Sequence, residues 1–253
     1  MSGSFDRHDE LVIGDGRIVV CLGKKRSGKS KVGRMIFDSY PGDRLVIDAN
    51  GTDGPVDGAV ELRGSVDELP TRWPEHQRED RQPMLVRYVP DAGSPTFVED
   101  MDHVLGLAWR KQDVCVLVHE MGLLAPAGKT PANCRRVLQS NRHRRVTLIA
   151  CAPRPITMDP LVLQQADLAY VFDLPNPDDR RRVADNIGWP PRDFDAAVQR
   201  LKRHEYLRYD ANEDAPDDET QPDLRLVHFD PLPADEVAKI DRDRPGQGGR
   251  KAP

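Results

Sequence analysis

The eight residues Gly23–Ser30, "GKKRSGKS", match G-x-x-x-x-G-K-S/T in full, and they constrain the fold more than any other stretch of the 253-residue chain. Their flanks give the match its weight. "RIVVCLG", Arg17–Gly23, is a continuous apolar run of the kind found in a strand buried on both faces, and a helix-like segment from Lys29 to Tyr40 follows until "PGD" stops it. A buried strand, a glycine-rich turn and a helix in that order form a phosphate-binding loop. Gly23 and Gly28 let the backbone curl so that its N–H groups converge on phosphate oxygens, and the helix N-terminus adds a positive dipole end. The binding set read from the motif is Gly23, Lys24, Lys25, Arg26, Ser27, Gly28, Lys29 and Ser30, with Lys31 directly after. Lys29 is expected to reach the β- and γ-phosphates of ATP, and the Ser30 hydroxyl to ligate Mg2+ directly.

Beyond the loop the chain alternates strand-like and helix-like segments. "RLVIDANG" (Arg44–Gly51) is a second buried strand, and residues 52–82 are loop-rich, with one short strand at "AVELRG". "MLVRYVP" is a strand. "SPTFVEDMDHVLGLAWRKQ" is a helix with Thr96 as N-cap, and "VCVLVHE" is a strand. "TPANCRRVLQSNRHR" is a helix with Thr130 as cap and Pro131 at its first position, and "VTLIAC" and "LAYVFDL" are further strands. This alternation predicts an α/β fold with a mostly parallel sheet flanked by helices, whose working residues sit at the carboxyl ends of the strands. From Pro175 the pattern changes to two short helices, the first ended by Gly188, and then a terminal strand pair, "EYLRYD" and "LRLVHFD". The expected division is an irregular lead-in at 1–15, a core at 16–174, a helical and hairpin extension at 175–230, and a tail of disordered composition at 231–253.

Composition excludes several functions. A net charge of −5 argues against a surface that is basic all over, while leaving room for a local basic groove. No apolar run approaches the ~20 residues of a membrane helix, and "MSGSFDRHDE" lacks the basic-apolar pattern of a leader. Cys21, Cys115 and Cys151 lie in apolar strand-like runs, Cys134 lies in a helix-like stretch, and none has CxxC spacing. A disulfide framework or zinc knuckle is not expected, and a reducing, cytoplasmic setting with no membrane fits.

The strand "VCVLVHE" ends in His119 and Glu120. A zinc-protease helix needs H-E-x-x-H, and the residue four after His119 is Leu123. Downstream of a phosphate loop, a carboxylate at a strand end suits Glu120 as the base that orients the lytic water. His119 then stands in the Mg2+ shell, acting through a bound water. A neutral imidazole can accept a hydrogen bond there but supplies no negative charge.

With both motifs in place, the chain resembles the FtsK/HerA branch of P-loop ATPases, of the RecA-like (ASCE) kind, and most of all the small ATPases encoded by tailed phages. The segment "RHRRVTLIACAPRPITMDPLVLQQADLAYVFDL", Arg142–Leu174, follows that branch's order of motifs. The resemblance implies a homo-oligomeric ring that translocates double-stranded DNA by ATP hydrolysis, packages a viral genome, and docks on a portal or capsid component. It also implies an arginine finger acting on a neighbouring subunit, with Arg142 or Arg144 of "NRHRR" as catalytic candidates and Arg154 a weaker one. Two positions depart from the pattern: His119 replaces an aspartate, and Pro153 of "CAPRP" replaces a sensor glutamine. Candidate DNA contacts are Arg180–Arg182, the stretch from Arg200 to His204, and the terminal "GGRK", each read more readily as a solvated face or tail than as a DNA contact. Two other functions stay open on sequence: an ATP-binding switch or assembly factor with weak hydrolysis, and a P-loop kinase.

Overall fold

The apolar runs are continuous because each strand has two dry faces. In the computed structural model, which describes residues 13–51, 56–64, 66 and 83–211, all five residues of β1 (Ile18–Leu22) are buried. Ile18, Val20 and Leu22 enter the core on one face, and Val19 and Cys21 the core on the other. The remaining strands are β2 (Asp43–Asp48), β3 (Val60–Arg63), β4 (Leu85–Val89), β5 (Val114–His119), β6 (Val146–Ala152), β7 (Leu168–Val171) and β8 (Leu207–Asp210). They form one eight-stranded sheet in the order β3-β4-β2-β5-β6-β1-β7-β8. All neighbours are parallel except β7 and β8, which are antiparallel with Val171 opposite Leu207.

The helices divide unequally between the faces. α1 (Lys29–Ser39) lies on one, burying Val32, Ile36 and Phe37 against Cys21, Val46, Leu117 and Ile149. α2 (Phe97–Lys111), α3 (Met121–Leu124), α4 (Ala132–Arg144), α5 (Pro160–Gln164), α6 (Pro177–Ile187) and α7 (Pro191–Gln199) all contribute to the core on the other face. Each fully buried Val, Ile, Leu or Phe contributes about 1.5–3 kcal/mol. α1 comes very near the sheet at Gly33, where an added Cβ would lie 3.0 Å from the Cys151 Sγ and 3.6 Å from the Cys21 Sγ. The Cys21 thiol is pushed well up by its hydrogen bond to Cys151 and by burial, so both sulfurs act as small apolar groups.

Helix ends depart from the sequence reading in one instructive place. Thr130 does not cap α4, and Pro131 is the cap position rather than the first helical residue. The exposed N–H groups of α4 are satisfied from α2: Asp102 accepts from the Asn133 amide at 3.2 Å and the Cys134 amide at 2.7 Å, and also from the Asn133 side chain at 3.0 Å. A buried carboxylate on a packed neighbour supplies stronger, charge-assisted bonds than a local hydroxyl. Thr96 is the N-cap of α2 as expected, although its hydroxyl donates to Asp100 at 2.9 Å rather than accepting from the backbone. Gly188 ends α6 with φ 75°, and Asn176 caps its start. Strand β8 pairs with β7, and its expected partner "LRLVHFD" and the tail at 231–253 lie outside the described residues.

Candidate functional site

The loop between β1 and α1 is built around two glycines that nothing else could replace. Gly23 has φ 152° and Gly28 φ 109°. A Cβ on Gly23 would sit 2.6 Å from the Phe172 Cβ and 2.8 Å from the Ser27 Oγ, and one on Gly28 would sit 3.1 Å from the Phe172 Cε1. Phe172, just past β7, is thus the floor along which the loop runs. The first loop amides are taken up by the protein: Gly23 donates to the Ala152 carbonyl at 3.2 Å and Lys24 to the Asp173 carbonyl at 3.0 Å, while the Lys24 ammonium pairs with the Asp173 carboxylate. Among the described residues, the amides of Lys25, Arg26, Gly28, Lys29 and Ser30 donate to no backbone carbonyl.

The side chains fit an anion. Lys29 is only 8% exposed yet forms no ion pair among the described residues, and no acidic side chain lies in the first turn of α1. The Ser27 hydroxyl is buried without a partner. A buried ammonium, an uncompensated helix N-terminus and free amides all require a negative ligand of phosphate size. The sequence-predicted residues Lys24, Lys25, Arg26 and Ser30 are exposed here, and Lys31 is partly buried. Arg26 has φ 66° and helps turn the loop.

β6 alone separates β1 from β5, so the carboxyl end of β5 opens beside the loop. Along β5, Cys115 and Leu117 face the α1 side, and by alternation His119 does too. Glu120 follows in the left-handed region, φ 62° and ψ 58°, as the cap residue of α3. Such a backbone costs a non-glycine residue roughly 1–2 kcal/mol, and it turns the glutamate out of the strand's register.

The sequence reading missed a second polar group at this end of the sheet. Asp48 closes β2 as the in-register partner of His119 and is fully buried. Its carboxylate accepts from Arg87 at 2.6 Å, and Arg87 also donates to Glu61 at 2.7 Å. Burial pulls the Arg87 guanidinium down, but the bonds to Asp48 and Glu61 more than offset it, so it is held charged. Bonds from Arg63 and Arg87 lower the Glu61 carboxyl. A signal existed: Asp48 ends an apolar run just as His119 does, and Arg87 interrupts "LVRYV".

The arginines fall elsewhere. Arg142 and Arg144 end α4, which leads into the amino end of β6, so they lie at the sheet edge opposite the loop. Arg142 donates to Asp167 at 2.6 Å, and Asp167 also accepts from the Ile18 amide at 2.7 Å. Arg144 lies over the Trp109 ring at 5.6 Å. Arg154 is paired with buried Asp179 at 2.8 Å. Of the candidate DNA contacts, Arg180 is overturned: it is 8% exposed and donates to the Leu174 and Pro175 carbonyls and to Asp195. Its Nε and Nη1 tie α6 to α7 and to the end of β7. Arg181, Arg200, Lys202 and Arg203 are exposed, and "GGRK" lies outside the described residues.

No protein-family model matches the chain, and no curated protein matches it in sequence. Solved structures do match. The genome packaging NTPase B204 of Sulfolobus turreted icosahedral virus 2, in complex with AMP, aligns with a TM-score of 0.63 at 19% identity over 85% of this chain and 98% of that one. The same protein with sulfate gives 0.60 at 20% identity over 79% and 94%. The DNA-packaging ATPase B204 of Sulfolobus turreted icosahedral virus gives 0.58 at 20% over 79% and 95%. The fold is that of a P-loop NTPase. In that fold the phosphate loop, the strand end carrying Glu120 and the intervening β6 form one continuous edge, and the expectation of a packaging-ATPase-like architecture is met at the level of the fold.

Proposed function

We propose that the protein is a Mg2+-dependent ATPase that drives double-stranded DNA through a homo-oligomeric ring to fill a viral capsid through a portal. The observation that carries this reading is the buried Lys29 at the start of α1, without an ion pair among the described residues, beside loop amides that donate to none of their backbone carbonyls and across β6 from Glu120. The packaging NTPases that share the fold, one of them solved with AMPPCP and with ATP-gammaS, support the nucleotide and the biological setting.

In this reading the loop amides and Lys29 neutralise the β- and γ-phosphates, and Ser30 ligates Mg2+, which when bound spreads the negative charge of the transferring phosphoryl group. Glu120 accepts a proton from the attacking water and aims it along the phosphate axis. His119 accepts from a water of the metal shell, with the Asp48 carboxylate beside it on the next strand. Arg144, held by an aromatic face rather than a carboxylate, is the better finger toward a neighbouring subunit. Arg142 is already engaged by Asp167.

Phosphate release measured with and without double-stranded DNA tests the proposal. Turnover stimulated by DNA supports the motor. Tight ATP binding with no release under either condition would leave a second reading, an ATP-ordered assembly switch, which the substitutions at His119 and Pro153 favour.

A further inference from the structure

His204 belongs to the basic stretch that reads as a solvated face, yet it is folded back onto the phosphate loop. Because β8 runs antiparallel to β7 with Leu207 opposite Val171, the residues just before β8 return beside Phe172 at the loop. Tyr206 packs on Phe172 with ring centroids 5.0 Å apart and on Tyr170 at 5.4 Å. A tight turn, in which Glu205 donates to the Lys202 carbonyl at 3.1 Å and Lys202 to the Glu205 carboxylate at 2.7 Å, sets His204 at φ 70°. Its Nδ1 lies 3.5 Å from where a Cβ on Gly28 would stand.

Both ring nitrogens of His204 are shielded from solvent, and neither has a hydrogen-bond partner among the described residues. An imidazole always has at least one N–H to donate. Leaving such a group buried and unpaired is destabilising. A left-handed backbone that holds it there adds to that cost. The economical explanation is a partner that arrives with the ligand.

The direction of the ligand follows from the sheet order. With the outermost phosphate facing Glu120 on the β5 side of β1, the rest of an extended nucleotide must run the other way, toward β7 and β8. His204 stands on that side. We propose that His204 is a binding residue for the nucleoside end of the nucleotide, hydrogen-bonding its ribose hydroxyls. This rests on the nucleotide-binding reading above.

The test compares ATP with inorganic tripolyphosphate, which occupies the phosphate loop but has no nucleoside end. Both are measured as competitors of a fluorescent ATP analogue on wild type, His204→Ala and His204→Gln. The expected result is a roughly tenfold weaker ATP affinity for His204→Ala, about 1.4 kcal/mol, with tripolyphosphate unchanged and partial recovery of ATP binding in His204→Gln. Parallel losses for both ligands would show that His204 merely supports the loop, and unchanged ATP affinity would show no contact; either result overturns the assignment. If wild type binds neither compound, the phosphate-loop reading itself fails, and that is seen without any variant.

Discussion

Asp48 and His119 are in-register partners at the last positions of β2 and β5, and both are buried. A buried negative charge therefore stands one strand away from His119, already held by Arg87. The residues Asp48, Arg87 and Glu61 together carry one net negative charge beside the imidazole.

Removing Asp48 leaves the buried Arg87 guanidinium with Glu61 as its one carboxylate partner among the described residues. Asp48→Leu is expected to destabilise the protein by about 3–5 kcal/mol, read from urea unfolding. The double variant Asp48→Leu, Arg87→Met restores most of that loss, because an apolar pair of similar volume removes the desolvation cost of both ions. ATP turnover is not restored if Asp48 supports the metal shell through His119.

An aspartate at position 119 would place two carboxylates on adjacent strands. His119→Asp is expected to lower the melting temperature of the ligand-free protein through like-charge repulsion, and to show a larger upward shift than wild type when Mg2+ and ATP are added. Thermal melts with and without ligand measure both changes.

Glu120 combines a left-handed backbone with the carboxylate proposed as the base. Glu120→Gln is expected to cut phosphate release roughly 100- to 10,000-fold, with nucleotide affinity retained. Glu120→Gly loses the same activity but gains roughly 1 kcal/mol of stability, because glycine adopts the left-handed conformation without cost. Paired activity and unfolding assays separate the two contributions.

Gly23→Ala drives a methyl group into Phe172 at 2.6 Å. The loop must shift, so the variant is expected to lose ATP binding in a titration while its far-ultraviolet circular dichroism stays unchanged.

The capping carboxylate of α4 gives a purely structural control. Asp102→Ala leaves two helix-end amides and the Asn133 side chain unsatisfied, and is expected to cost about 1–3 kcal/mol with ATP affinity intact.

Much of this was legible before the structure because strand burial and the phosphate loop are local signals. Apolar runs such as Ile18–Leu22 alternate between two dry cores, so they announce a covered sheet without any tertiary knowledge. The Gly23–Ser30 motif encodes its own geometry in two glycines. The features that escaped are those that pair distant residues: Asp102 caps a helix 31 positions away, and Arg87 reaches Asp48 across 39. His204 was hidden for a different reason. It sits within a run of cations, and only the antiparallel return of β8 distinguishes it from its exposed neighbours Lys202 and Arg203.

At the far edge of the sheet, the Asp167 carboxylate grips both the Arg142 guanidinium and the first amide of β1. The five residues of β1 run straight from that grip to Gly23. The Arg142 side chain and the phosphate loop are thus joined through one shared carboxylate and five residues of a central strand, so the two rims of the sheet are fixed relative to each other by β1 and the strands beside it.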